Sequence, residues 1–259
     1  MSLARRTAAA LVPLESTLLA FADAPASLLA ERALQRRIDT KYVVRDALLA
    51  DLLGGLHGDY GALRVPNTSF STYRNLYFDT EDFRCFHDHR RGKRLRHKIR
   101  IRHYPDRELS FLEVKSKRNS EITDKHRLPL PYGQESVGAS ERAFVTTHVG
   151  AMAELRPVLR IDYRRITLIG LRSGERVTID TDLEFSALDG TRHAFGSLAV
   201  IEIKRASISR TTALVRALST HHVRELALSK YVAAVTTLHP DQRCNRLRPA
   251  LRAAERLRR

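Results

Sequence analysis

The stretch Arg96-His-Lys98-Ile-Arg100-Ile-Arg102 limits what this chain can fold into more than any other. Side chains on a strand point to opposite faces at every second residue, so as a strand it sets Arg96, Lys98, Arg100 and Arg102 on one face and Leu95, Ile99 and Ile101 on the other. The wider run from Arg90 to Arg102 holds eight cations and no acid. A single strand of this kind is ordinarily half-buried with a solvated face. Four like charges in line repel, however, and solvated faces normally mix signs, so the run calls for an anion.

The same alternation recurs along the chain. Phe111 to Lys117 sets Glu113, Lys115 and Lys117 opposite Leu112 and Val114, and Val200 to Lys204 sets Glu202 and Lys204 together between aliphatics. Arg176 to Asp180 and Arg37 to Lys41 repeat the pattern. Antiparallel strands of this type can line the inside of a closed barrel, where a charged interior needs something to balance it. A polyanion would do so, each close phosphate–ammonium pair being worth up to about 4 kcal/mol before desolvation. The isolated carboxylates read in two ways: as salt-bridge partners that keep the lysines ionised, or as Glu202, with Glu113 as a second candidate, holding Mg²⁺ or Mn²⁺ on a polyphosphate.

The chain has 259 residues, a formal net charge of +16, 43% hydrophobic and 29% charged residues, which is enough apolar material for one large domain or two small ones and excludes a disordered protein. No internal repeat is visible, so one domain is the simpler reading. Two cysteines exclude a disulfide scaffold and a cysteine-ligated zinc site. No apolar run is long enough for a membrane helix. Arg5-Arg6 and the residues after it resemble a leader, but Glu15 interrupts the apolar stretch, so residues 1–35 are read as an Ala/Leu-rich helical region and a cytoplasmic protein is expected. Residues 239–259 form a basic C-terminal tail, helical or frayed, with seven Arg and two acids from Asp241 onward. Between them, strands are expected at Arg37–Val44, Thr68–Phe78, Lys93–His103, Glu108–Lys117, Thr123–Leu130, Val158–Ile169, Arg176–Asp182 and Leu198–Arg205. Helices are expected at Arg45–Leu56, after an Asp79-Thr80 cap, and at Ser140–Leu155, Ser209–Ser219 and Glu225–Leu238. The class is α+β with a large antiparallel sheet.

Nucleic acid is the obvious rival partner for so basic a chain. Against it, there is no Trp, aromatics make up 7%, and the cations alternate without interleaved stacking residues. His87, His89, His97, His103 and His126 crowd one region but form no His-x-x-x-His pair or ligand triad, and read as surface or wall residues.

Taken in order, Arg37-Ile-Asp-Thr-Lys-Tyr42, Leu76-Tyr-Phe-Asp-Thr80, Lys98-Ile-Arg-Ile-Arg102, Leu112-Glu-Val-Lys115, Tyr163-Arg-Arg165, Arg176-Val-Thr-Ile-Asp-Thr181, Ile201-Glu-Ile-Lys204 and Ser229-Lys-Tyr231 resemble the polyphosphate polymerase domain of the vacuolar transporter chaperone (VTC) complex, in the triphosphate tunnel metalloenzyme (CYTH-like) superfamily. The resemblance spans roughly residues 36 to 232. It implies a closed antiparallel β-barrel with flanking helices over residues 36–238. It also implies a phosphate-binding wall of Lys41, Arg100, Arg102, Lys115, Arg165, Arg176 and Lys230, all but Arg176 also in catalytic roles, and Glu202 as ligand to Mn²⁺ or Mg²⁺. Lys125 or Arg127 should join the wall, and spacing does not decide between them. The hydrolytic members of the superfamily carry Glu-x-Glu-x-Lys on the first strand. Here Arg37, Asp39 and Lys41 stand at those positions, which tilts the reading from triphosphate or polyphosphate hydrolase towards polymerase. The implied partners are ATP and inorganic polyphosphate, with any coupling to transport left to a membrane partner, and a non-catalytic polyphosphate-binding module is the third reading.

Overall fold

The computed structural model describes residues 14–25, 27–28, 38–65, 68–118, 123–152, 154–205, 212–242 and 248–258. Ten strands, β1 (Ile38–Arg45), β2 (Tyr60–Ala62), β3 (Ser71–Asp79), β4 (Arg96–Tyr104), β5 (Leu109–Lys117), β6 (Thr123–Leu130), β7 (Arg156–Gly170), β8 (Arg176–Ala187), β9 (Arg192–Ala194) and β10 (Leu198–Arg205), make one antiparallel sheet. Its path runs β1-β10-β8-β7-β3-β4-β5-β6, with β2 on β7 and β9 on β8. Helices α1 (Leu49–Gly54), α2 (Arg84–Arg91), α3 (Ala139–Val149), α4 (Ala213–Thr220), α5 (Lys230–Leu238) and α6 (Arg248–Arg258) flank it, so the α+β class stands. None of these helices is long and apolar enough to cross a membrane. Of the N-terminal helical region, residues 14–19 are helical, and Leu14 and Leu18 are buried. Arg5, Arg6 and Arg37 lie outside the described residues.

The barrel does not close as expected, because among the described residues no pairing joins β1 to β6. Pro129 gives β6 a position with no N–H, as suits a sheet edge. The free edge of β1 is taken instead by the chain entering α5: Glu225 bridges Tyr42, and the Leu226 amide donates to the Lys41 carbonyl. These backbone bonds, with a tight turn from the Leu228 amide to the Leu226 carbonyl, keep residues 225–228 out of a helix, so the helix expected from Glu225 starts at Lys230, capped by the Ser229 hydroxyl. β4 likewise begins at Arg96, three residues after its expected start. α2 continues through Arg91 and stops at Gly92, whose φ of 68° lets its amide reach back to the Asp88 and His89 carbonyls. The Asp79-Thr80 cap acts at a distance: Asp79 accepts from the Cys85 and Phe86 amides and Thr80 from that of Arg84.

Three apolar clusters fix the curvature of the sheet. Leu14, Leu18, α1 and α4 cover the convex face of β1, β10, β8 and β7. α3 and Cys85 cover that of β3, β4 and β5. The third cluster lies on the concave face, where Val43, Val200, Leu159, Ile161, Leu183 and Phe185 pack against α5 and against Ala254 of α6. The tail is therefore a docked helix over these residues, and Arg45 Nε donates to the Leu257 carbonyl at 2.8 Å. A bulge divides the concave face. Between Asp162 and Arg164 the β7–β8 register shifts, with Asp182 at φ 52°, a conformation Asp tolerates. The extra residue switches β8 from inward-facing Asp180 to inward-facing Leu183 and Phe185, leaving one half of the concave face polar and the other apolar.

Candidate phosphate site

The polar half of the concave face bounds a cavity of about 560 Å³. Lys41, Arg100, Arg102, Lys115, Lys125, Arg127, Arg165, Arg176, Lys230 and Glu202 all line it. Both Lys125 and Arg127 are present, so the structure does not choose between them; β6 carries both at the same face. Lys98, Lys204 and Arg107 line it as well. Among the described residues, twelve of the lining side chains are Lys or Arg and one, Glu202, is a carboxylate.

Strand register builds the wall in rows. Lys98, Lys115 and Lys125 are direct partners across β4, β5 and β6, three like charges side by side. The next row is Tyr77, Arg100, Glu113 and Arg127, and the next Asn75, Arg102 and Phe111. On the other side, Lys41 faces Glu202 and Arg165 faces Asp180. The turn into α5 closes one end: Lys98 Nζ donates to Ser229 Oγ at 2.9 Å and Lys41 Nζ to the Leu228 carbonyl at 3.3 Å.

Two buried carboxylates hold much of this array. Glu113 is 2% exposed and meets Arg100 at 2.7 Å, Lys125 at 2.7 Å, Arg127 at 3.0 Å and Arg102 at 3.7 Å. Burial alone would raise its pKa, but Arg102, Arg100 and Lys125 hold the carboxyl well below the usual range. Both Glu113 oxygens thus lie within ion-pair distance of cations, and Glu113, the second candidate for a metal ligand, does not line the cavity as Glu202 does. One charge shared among four partners cannot neutralise them all, and burial depresses Lys125 to about 6 in spite of Glu113. Burial, with Lys41 and Lys115 adjoining, also takes Lys98 well below its ordinary value. On the opposite wall, Arg165 grips Asp180 through Nε at 2.5 Å and Nη2 at 2.8 Å, and Lys230 pairs with the same carboxylate. Burial would raise Asp180, yet Arg165 and Lys230 bring it to about 2.

Tyrosines hold the arginines in place, a feature the composition concealed. Arg102 donates to Tyr163 Oη at 2.9 Å and to Asn75 Oδ1 at 2.7 Å, and its guanidinium lies 4.9 Å from the Tyr73 ring centre. Arg165 lies over the same ring at 4.8 Å, and Arg100 donates to Tyr77 Oη at 2.8 Å. These contacts orient planar guanidinium forks before any ligand arrives, which suits recognition of phosphate oxygens.

Glu202 differs from the other two acids. It faces the cavity, and its nearest cation is Lys204 at 3.6 Å. Burial opposes its ionisation, but Lys204, Lys41 and Lys115 hold it well below the usual range, so it is a carboxylate at neutral pH. A single lining carboxylate does not make a resident metal cage, and among the described residues no three His, Cys, Asp or Glu side chains gather to form one. It does fit a divalent ion that arrives with a polyphosphate and takes its other ligands from phosphate and water. The histidines expected beside phosphate are not there: among the described residues none lines the cavity, since His97, His103 and His126 alternate with the lining cations and face away, His97 pairing with Ser116, His103 with Ser110 and His126 stacking on His148 at 3.7 Å.

The family model of the VTC domain matches residues 36–239. The chain belongs to the VTC family. No curated protein matches it. Among solved structures, this VTC domain is similar to a candidate adenylate cyclase from Bacillus halodurans (16% identity, 77% of this chain and 97% of that one, TM-score 0.49). It is also similar to another from Vibrio parahaemolyticus (13% identity, 76% and 96%, TM-score 0.45). Identities and scores at this level specify neither substrate nor chemistry. Family membership associates the cavity with triphosphate or polyphosphate chemistry, and the cationic lining agrees with it.

Proposed function

We propose that this VTC domain is a metal-dependent polyphosphate polymerase that transfers the terminal phosphoryl group of ATP to the end of a growing inorganic polyphosphate chain. The observation that carries the reading is the cavity lining itself, which among the described residues sets twelve Lys and Arg against one carboxylate, with no His or Cys. A terminal phosphate oxygen is already largely anionic at neutral pH, so it needs no side chain to activate it. That oxygen bonds to the γ-phosphorus, the bond from the γ-phosphorus to the bridging oxygen breaks, and ADP leaves with the electron pair, so no net proton is required. What the protein must do is hold two polyanions in line and neutralise the charge on the transferred group.

The residues divide that task. Arg100 and Arg102, fixed by Glu113, Tyr77, Tyr163 and Asn75, present oriented forks, as does Arg165 held by Asp180, and Lys230, paired with the same carboxylate, adds an ammonium. Lys41, Lys115, Lys125, Arg127 and Arg176, together with Lys98, complete the wall around the chain. Mg²⁺ or Mn²⁺, when bound through Glu202, would supply further neutralisation of the transferring phosphoryl group. The test is incubation of purified protein with ATP and Mn²⁺, followed by electrophoresis and nucleotide analysis. A phosphate ladder with ADP is expected. Free phosphate alone would make the protein a hydrolase, and tight polyphosphate binding without turnover would make it a binding module.

A further inference from the structure

The cavity has one stretch of wall for which a phosphate chain has no use. Tyr104, Leu109 and Phe111 line it, and none of them belongs to the three apolar clusters that hold the fold. Leu109 is 44% exposed, and Tyr104 and Phe111 are partly exposed. Their rings meet edge to face, with centroids 6.0 Å apart. Arg127 lies 5.6 Å from the centre of the Phe111 ring, so a guanidinium plane adjoins the aromatic one. This apolar rim and the lysine row lie at opposite ends of the same strands. Phe111 and Lys115 are four residues apart on β5, about 13 Å at the strand rise, and Tyr104 and Lys98 are six apart on β4, about 20 Å.

We infer that the Tyr104, Leu109 and Phe111 rim is a nucleobase platform, so that the donor nucleotide binds with its base at the rim and its phosphates directed towards Lys115 and Lys98. The inference rests on the polymerase reading and adds the polarity of the site and the class of donor. Inorganic polyphosphate offers only charged oxygens, and apolar surface left in a cationic wall gains nothing from it. A nucleoside triphosphate has one flat aromatic end and one polyanionic end, matching the two ends of the cavity. Stacking accepts any base with a suitable π-face. Among the described residues no Asn, Gln or Asp lines the cavity, and Glu202 belongs to the lysine side, so these residues offer no carboxamide or rim carboxylate to tell adenine and guanine edges apart.

The experiment compares the binding of ATP, GTP and inorganic tripolyphosphate to the full chain by calorimetry, for wild type, Phe111→Ala and Phe111→Trp. Phe111 is only partly buried, and the Trp variant guards against misfolding. Phe111→Ala is expected to weaken ATP and GTP alike by about tenfold or more, the worth of one base–aromatic stack, and to leave tripolyphosphate unchanged. Phe111→Trp is expected to restore nucleotide affinity. Equal weakening of all three ligands, or no weakening of the nucleotides, overturns the platform while leaving the polymerase reading intact. Wild type that binds tripolyphosphate but neither nucleotide overturns both.

Discussion

Replacing Glu113 with Gln should unfold the empty protein more easily and the phosphate-loaded protein hardly at all. The carboxylate is 2% exposed, and two of its partners, Arg100 and Arg102, have side chains 18% and 6% exposed. Removing one member of a buried ion pair costs about 3–5 kcal/mol, because the partner stays buried and unpaired. Arg127 is 47% exposed and can turn to water, so the low end, about 3 kcal/mol, is the better figure. At about 2–4 °C per kcal/mol for a chain near this size, Tm should fall by roughly 6–12 °C. Ligand at a hundred times its Kd stabilises the native state by about 2.7 kcal/mol. In the variant, cations released from Glu113 pair with phosphate, so tripolyphosphate should raise its Tm by more than it raises that of wild type and close the gap. The assay is thermal unfolding of both proteins across a tripolyphosphate titration. An unchanged Tm for Glu113→Gln would show that the carboxylate does not hold the array, and a gap that persists at saturating ligand would show that the freed cations do not face the ligand.

Glu202→Gln should keep tripolyphosphate binding but lose turnover by about a hundredfold or more at ordinary Mn²⁺, since the amide keeps the shape and drops the charge that would hold the ion; wild-type turnover at low metal removes Glu202 from the mechanism. pH gives a separate check on the lysine row. Lys125, depressed to about 6 by burial, binds fewer protons when folded than when unfolded between about pH 6 and the ordinary lysine value, and Lys98 and Lys115 are shifted the same way. Stability of the unliganded protein should therefore rise with pH across that window, and saturating tripolyphosphate should flatten the rise by keeping the lysines charged. Thermal unfolding between pH 6.5 and 9 measures it, and a flat profile without ligand counts against a crowded lysine row.

What could be read from the sequence follows from which interactions are local. Period-two alternation is written residue by residue, so the strands and their cationic faces are legible, and register then brings all ten expected side chains to one cavity. Alternation assigns faces but says nothing of the seam, which depends on residues 225–228 bonding to β1 across most of the chain. β2 and β9 span three residues each, too short to show a period. Glu113 and Glu202 look alike in sequence, each an acid beside a lysine on an alternating strand. They part only in space: β6 brings Lys125 and Arg127 onto Glu113, whereas β1 and β8 place Lys41 and Thr178 beside Glu202 and leave that carboxylate facing the cavity. Lys98 shares the parity of Arg100 and Arg102, and the same alternation puts it on the wall. The tyrosines were legible on the same ground, since Tyr73 and Tyr77 alternate with Asn75 and Tyr163 lies two residues before Arg165. Aromatics make up only seven per cent of the chain, yet those few sit where they orient Arg100, Arg102 and Arg165, and there position within the strand carries more information than abundance.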